Sequence, residues 1–118
     1  MNWRDLKVWQ KAHDLVLEIY TTSAKFTSDE KFGLTSQIRR SAVSVCANIV
    51  EGQSRNTTKE YLQFLYNARG SVEETRYHLL LARDLKYLRE SEYLSFESQY
   101  GEVSKMLNSL IATLKKKS

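Results

Sequence analysis

Residues 93–114 read YLSFESQYGEVSKMLNSLIATL, with apolar side chains at Tyr93, Phe96, Tyr100, Val103, Leu107, Leu110 and Leu114. The steps alternate between three and four. This rhythm keeps one side of an α-helix apolar along the whole segment, and it is the seam of helices that pack nearly parallel or antiparallel.

The same spacing runs upstream. Tyr61, Leu65, Ala68, Val72, Thr75, Leu79 and Ala82 predict a helix with one apolar seam. A further helix carries Leu6, Trp9, His13, Val16 and Tyr20, with a second stripe, Val8, Ala12, Leu15 and Ile19, beside it. Three polar joints separate the segments. Thr27-Ser28-Asp29-Glu30 has the S/T-x-x-E spacing of a capping box. Gly52-Gln53-Ser54-Arg55-Asn56 couples a helix-stopping glycine to turn formers, and Thr57-Thr58-Lys59-Glu60 repeats the box. At Arg89-Glu90-Ser91-Glu92, Ser91 is placed to cap the last helix. Short joints between long helices predict one all-α domain over residues 1–118, an up-down-up-down antiparallel four-helix bundle.

Composition agrees. The chain has 118 residues, 42% of them apolar and 27% charged, with no proline and four glycines. A packed core is within reach, while collagen, proline-rich linkers and most turn-dense β architectures are excluded. The single cysteine, Cys46, has no intrachain partner. Neither His13 nor His78 lies in a cluster with metal-ligand spacing, so no metal or cofactor is expected. No apolar run is long enough to span a bilayer and no leader-like segment follows Met1. The expectation is a cytoplasmic protein with no membrane partner.

The second helix, residues 34–51, is unusual. At about 100° per residue, Leu34, Ile38, Ala42, Val43, Val45, Cys46, Ala47, Ile49 and Val50 spread over roughly 220°, against the ~100° stripe one core requires. The remaining strip is Gln37, Ser41, Ser44, Asn48 and Glu51, small hydroxyls and amides suited to close helix contact. Arg39 falls inside the apolar arc, with Glu74 and then Glu51 as candidate partners and a half-solvated place at the bundle mouth as the alternative. Three companion helices cover one side of such a helix. The excess predicts self-association.

The charge balance is +4. Arg69, Arg76 and Arg83 recur every seven residues on one flank of the third helix, and Arg40, Arg55, Lys59 and Lys86 extend the basic set. Fixed cations of this kind track a phosphate backbone and release counterions. The competing reading pairs the arginines with carboxylates such as Glu73, Glu74 and Asp84. Lys115-Lys116-Lys117 reads as a solvated helix end. The aromatics Trp9, Tyr20, Phe26, Tyr61, Phe64, Tyr66 and Tyr93 fall on or beside packing seams. Asn48, Glu51, Ser71 and Glu74 could on paper form a polar pocket, yet no nucleophile–base set or phosphate loop accompanies them. A structural tie between the second and third helices is the better account of Asn48 and Glu51. The chain is expected not to be an enzyme.

Several stretches, in order, carry a resemblance: Asp5 to Ala12 (DLKVWQKA), Glu30 to Arg40 (EKFGLTSQIRR), Ser44, Asn48 to Gly52 (NIVEG) and Gly70 to Glu74 (GSVEE). Together they resemble the bacterial four-helix-bundle proteins encoded in intervening sequences of 23S rRNA genes, to which the accessory proteins of diversity-generating retroelements are similar. The resemblance implies a ring-shaped homo-oligomer of five subunits, basic on part of its surface. In the retroelement relatives the ring binds nucleic acid and a reverse transcriptase. For the rRNA-encoded members it implies no defined activity. Its signature positions here are Gln37, Arg39, Ser44, Asn48, Glu51, Gly52, Ser71 and Glu74. Cys46 and Thr27 stand where that family commonly has proline, which favours regular helix. Taken together, these readings predict an oligomeric accessory protein that binds RNA or DNA through Arg40, Arg55, Lys59, Arg69, Arg76, Arg83 and Lys86. The alternative is a protein-interaction scaffold that binds no nucleic acid.

Overall fold

Each periodic segment forms a helix: α1 is Lys7–Ser23, α2 Leu34–Gln53, α3 Thr58–Asp84 and α4 Glu90–Lys117. Short 3-10 turns, Trp3–Asp5 and Ser28–Glu30, precede α1 and α2. The computed structural model describes residues 2–117, so Met1 and Ser118 of the expected 1–118 domain lie outside it. Among the described residues there is no strand. α1 packs on α2, α2 on α3, α3 on α4, and α4 closes back on α1. With joints this short, successive helices run antiparallel. The 28 residues of α4 extend about 42 Å, which sets the long dimension of the 46 × 24 × 20 Å molecule.

The core follows the sequence rhythm with three corrections; in α3 the seam begins at buried Leu62, and the expected Tyr61 is only half-buried. In α1 the smaller stripe goes inside: Val8, Ala12, Leu15 and Ile19 are buried together with Val16, while Trp9 and His13 are half-buried and Tyr20 is exposed. The aromatic stripe is displaced to the rim, where Trp9 stacks on His13 with ring centroids 4.9 Å apart and meets the edge of Trp3. Branched and small side chains fill the narrow centre of a four-helix bundle more closely than an indole does. In α4, Phe96, Tyr100, Val103 and Leu107 are buried as expected, but the next core residue is Ile111, with Leu110 and Leu114 at the margin. A straight helix drifts about 20° per heptad against a 3.5-residue repeat, which moves the seam by one position over this length.

The helix ends depart from the capping expectations in detail. Thr27 accepts a hydrogen bond from the Asp29 N–H and so caps the 3-10 turn, not α2. Glu30 reaches forward instead, its Oε1 accepting from the Leu34 N–H at 3.0 Å. Thr57 caps α3 as read, accepting from the Glu60 N–H at 3.1 Å. α3 ends in a Schellman arrangement: the Tyr87 N–H donates to the Ala82 carbonyl at 2.8 Å and the Lys86 N–H to Arg83 at 3.0 Å. Lys86 takes the left-handed position at φ 70° that glycine usually fills. This closure brings α4 in early, so Ser91 lies within its first turn and is not its cap. The Glu92 carboxylate accepts from the Arg89 N–H at 3.0 Å, a bond that holds its pKa below the ordinary carboxylate value.

Candidate nucleic-acid interface

The small polar strip of α2 faces α3, as its composition anticipates. Ser44 Oγ and Ser71 Oγ are 2.9 Å apart, and Thr75 donates its hydroxyl to Ser41 Oγ at 2.8 Å. Ser41 also lies 3.2 Å from Nδ1 of His78. Asn48 donates to the Ser44 carbonyl and hydroxyl. Asn48 therefore braces its own helix and does not tie α2 to α3 directly. Glu51 does not reach α3 either: it is exposed and pairs with Arg55 at 3.3 Å. The tie at this end is Gly52, which stands inside α2 and does not stop it. A Cβ there would lie 2.7 Å from Phe64 Cβ and 3.1 Å from Tyr61 Cδ1. Only a glycine lets the helices approach so closely.

Ser41, His78 and Glu74 line up in a way the sequence did not suggest, with Glu74 Oε2 4.0 Å from His78 Nε2. This resembles a nucleophile–base–carboxylate series, but its surroundings do not support acyl transfer. Ser41 is only 2% exposed. Its hydroxyl is engaged by Thr75 and the Ile38 carbonyl, and the neighbouring backbone N–H groups belong to helix interiors, which leaves no oxyanion donors. Burial lowers the His78 pKa and outweighs the opposing pull of Glu74, which favours the neutral ring. Cys46 is similarly inert, its thiol pushed up to about 12 by burial. Among the described residues there is no cluster of three metal-ligating side chains.

Arg39 meets neither Glu74 nor Glu51. Its Nε donates to Ser23 Oγ at 2.8 Å and its Nη2 to the Tyr20 carbonyl at 3.2 Å, with the guanidinium 4.6 Å from the Tyr20 ring centroid. The carbonyl end of α1 supplies the partner charge through its dipole. No sequence pattern pairs an arginine with the end of another helix.

The seven candidate phosphate contacts do not form one patch. Arg69, Arg76 and Arg83 turn towards α4. Arg69 donates to Asn108 Oδ1 at 3.0 Å. Arg76 bridges Glu97 and Glu73, bonds that raise its pKa. Arg83 pairs with Asp84 at 3.0 Å and Glu90 at 3.9 Å and lies over Tyr93. Arg55 is shared between Glu51 and the Phe64 ring. Among the described residues, Arg40, Lys59 and Lys86 are exposed without a carboxylate partner. The antiparallel order puts Arg40 and Lys86 at one end of the bundle and Lys59 at the other. Of the signature residues, Ser44, Asn48 and Ser71 converge on the α2–α3 seam. Gln37 is exposed, and Glu74 is at its edge beside His78.

The sequence reading passed over Phe32, which is 89% exposed. It sits on the turn into α2, beside a groove of about 440 Å³ lined by Tyr20, Lys31, Thr35, Ser36, Arg39 and Arg40. The signal was present as an aromatic between Lys31 and Gly33 in a turn, where no packing seam requires one. The wider basic hollow at the α3–α4 corner is different: there Lys25, Arg83, Lys86 and Arg89 are interleaved with Glu90 and Glu92.

Fold and side chains thus define an all-α four-helix protein whose conspicuous features are surfaces and seams. The family model for the 23S rRNA-intervening sequence protein matches residues 4–109. The chain belongs to that family, as the motif resemblance implies. No curated protein matches the chain significantly in sequence. A similar solved structure is the 1.70 Å crystal structure of a protein of unknown function from the S23 ribosomal protein family of Bacteroides thetaiotaomicron VPI-5482. It is 27% identical, superposes with a TM-score of 0.83, and the match covers 89% of this chain and 95% of that one. Among the described residues, no helix is long and apolar enough to cross a membrane.

Proposed function

We propose that this protein is a non-catalytic accessory protein that self-associates and binds nucleic acid through cations that have no carboxylate partner among the described residues. The observation that carries the proposal is the concentration of Lys31, Arg39 and Arg40 in a groove whose lining has no carboxylate. Arg40 adds an exposed charge there with no carboxylate partner among the described residues, and Lys59 and Lys86 extend the basic surface. Arg69, Arg76 and Arg83, already engaged within the chain, contribute less. Self-association is supported by α2: Val43 is 39% exposed and Ala47 is exposed, with half-buried Val50 on the same helical face. Copies of the chain arranged in a ring cover this stripe for each other and repeat the basic groove around the assembly.

Titration with labelled single- and double-stranded RNA and DNA tests the reading. Binding is expected at low salt, weakening as salt rises in proportion to the phosphates contacted. Light scattering on the same sample is expected to give a mass several times that of one chain. No binding at low salt removes the nucleic-acid claim. The intramolecular pairing of Arg69, Arg76 and Arg83 favours one second reading, a protein-interaction scaffold, in which the oligomer persists and binds no oligonucleotide.

A further inference from the structure

We propose that the Phe32 groove is a seat for an unpaired base in a single strand. Phe32 and Tyr20 provide the stacking surface, and Lys31, Arg39 and Arg40 hold the flanking phosphates. The inference rests on the nucleic-acid reading above and deepens it by naming the form of nucleic acid.

Two aromatic rings stand open at this groove. Phe32 is 89% exposed and Tyr20 43%. Leaving a phenylalanine in water forgoes the hydrophobic gain its burial would bring, and the turn that does so is firmly built. Its backbone closes through Glu30 N–H to Thr27, Lys31 N–H to Ser28 and Gly33 N–H to Glu30, all between 2.9 and 3.1 Å. The Glu30 carboxylate then fastens it twice. Oε1 accepts from the Leu34 N–H, and Oε2 accepts the Tyr87 hydroxyl at 2.9 Å, linking the turn to the α3–α4 corner. Beneath it Phe26 is buried against Tyr87. Gly33 makes the clamp possible, because a Cβ there would stand 2.7 Å from Glu30 Oε1. The first α2 N–H is consumed by this clamp, so the groove is not merely a helix N-terminus. Phe32 is presented outward on a rigid support, and binding pays little to order it.

The charges choose the occupant. Lys31 Nζ lies over the Phe32 ring, 5.5 Å from its centroid, and the Arg39 guanidinium over the Tyr20 ring at 4.6 Å, so each ring already carries a cation on one face. Arg39 is anchored by Ser23 and the Tyr20 carbonyl. Hydroxyls of Thr35 and Ser36 complete the lining. Aromatic faces with adjacent cations are what an unstacked base and its phosphates require, whereas a duplex keeps its base faces covered.

The test compares a fluorescein-labelled single-stranded oligonucleotide with its duplex, for the wild-type protein and the Phe32→Ala, Phe32→Tyr and Arg40→Ala variants. Phe32→Ala is expected to weaken single-strand binding between about fivefold and about a hundredfold while leaving duplex binding nearly unchanged. Phe32→Tyr should restore it. Arg40→Ala should lower the single-strand salt slope by about 0.7. Phe32 is exposed, so unchanged thermal unfolding is expected to accompany these effects. Equal losses for single strand and duplex, or no loss for either, overturn the base seat while the nucleic-acid reading stands. Failure of the wild-type protein to bind either one overturns both. If it binds polyglutamate in a Phe32-dependent manner and no oligonucleotide, the groove belongs to an acidic protein partner.

Discussion

α3 is gripped by opposite means on its two sides. Against α2 the contact is close, made by the buried hydroxyls of Ser41 and Thr75, by the half-buried Ser44 and Ser71 hydroxyls and by Gly52, where the helices meet without an intervening Cβ. Against α4 the core beneath is apolar, and the rim is spanned by long side chains: Arg69 to Asn108, Arg76 to Glu97 and Arg83 to Glu90. Short buried hydroxyls must all find partners, because each one stranded loses about 1–3 kcal/mol of desolvation. Half-solvated ion pairs are worth little, typically below about 1 kcal/mol. The first seam fixes geometry. The second tolerates change, although it displays more conspicuous charge.

The largest expected effect breaks the close seam. Gly52→Val forces Phe64 and Tyr61 outward and should destabilise the fold by about 3 kcal/mol, seen as a lower urea midpoint. Gly70 has nothing within 4 Å of where its Cβ would stand, so Gly70→Ala should stabilise the fold by about 1 kcal/mol through helix propensity. Equal responses at the two glycines would mean that the helices do not meet closely at Gly52.

An intermediate effect comes from pH. Burial lowers the His78 pKa from its ordinary 6.5. The unfolded chain therefore binds the proton more readily. His78 favours folding fully above pH 6.5, and that contribution fades as pH falls from 6.5 towards the lowered folded value. Urea midpoints should drop across this interval, and His78→Gln should flatten the dependence. A wild-type midpoint that rises on acidification through it would contradict the burial of a neutral ring against Ser41.

The smallest effect is expected on the charged seam. Arg76→Gln should destabilise by about 0.5 kcal/mol, and the difference should shrink as salt is raised. A loss equal to that of Gly52→Val would reverse the ranking of the two seams.

How much of this was legible can be told residue by residue. The polar strip on α2 reads directly from Ser41, Ser44 and Asn48, since a solvent face carries longer charged side chains. The seams of α3 and α4 read from their three-four steps except near one end of each, where Leu62 and Ile111 take the core places expected of Tyr61 and Leu110. The choice between the two α1 stripes did not, because both have helical spacing and only the width of the interior separates Leu15 from Trp9. Arg39 was legible as an arginine in the wrong place, but its partners, Ser23 and the end of α1, are distant in sequence and lack a complementary charge to search for. Ser41 with His78, and Glu30 with Tyr87, were likewise unreachable by spacing alone. Phe32 was visible only as an aromatic without a role.

By itself the sequence determined that this chain forms four helices, the joints that separate them and the apolar stripes they carry, because these depend on neighbours three and four residues away. The tertiary structure decided which stripe of α1 goes inside, that Gly52 is a contact and not a stop, which arginines are spent on α4, and that Phe32 stands beside three cations. Those outcomes depend on distances between helices, and interhelical packing is set only when all four close on one core.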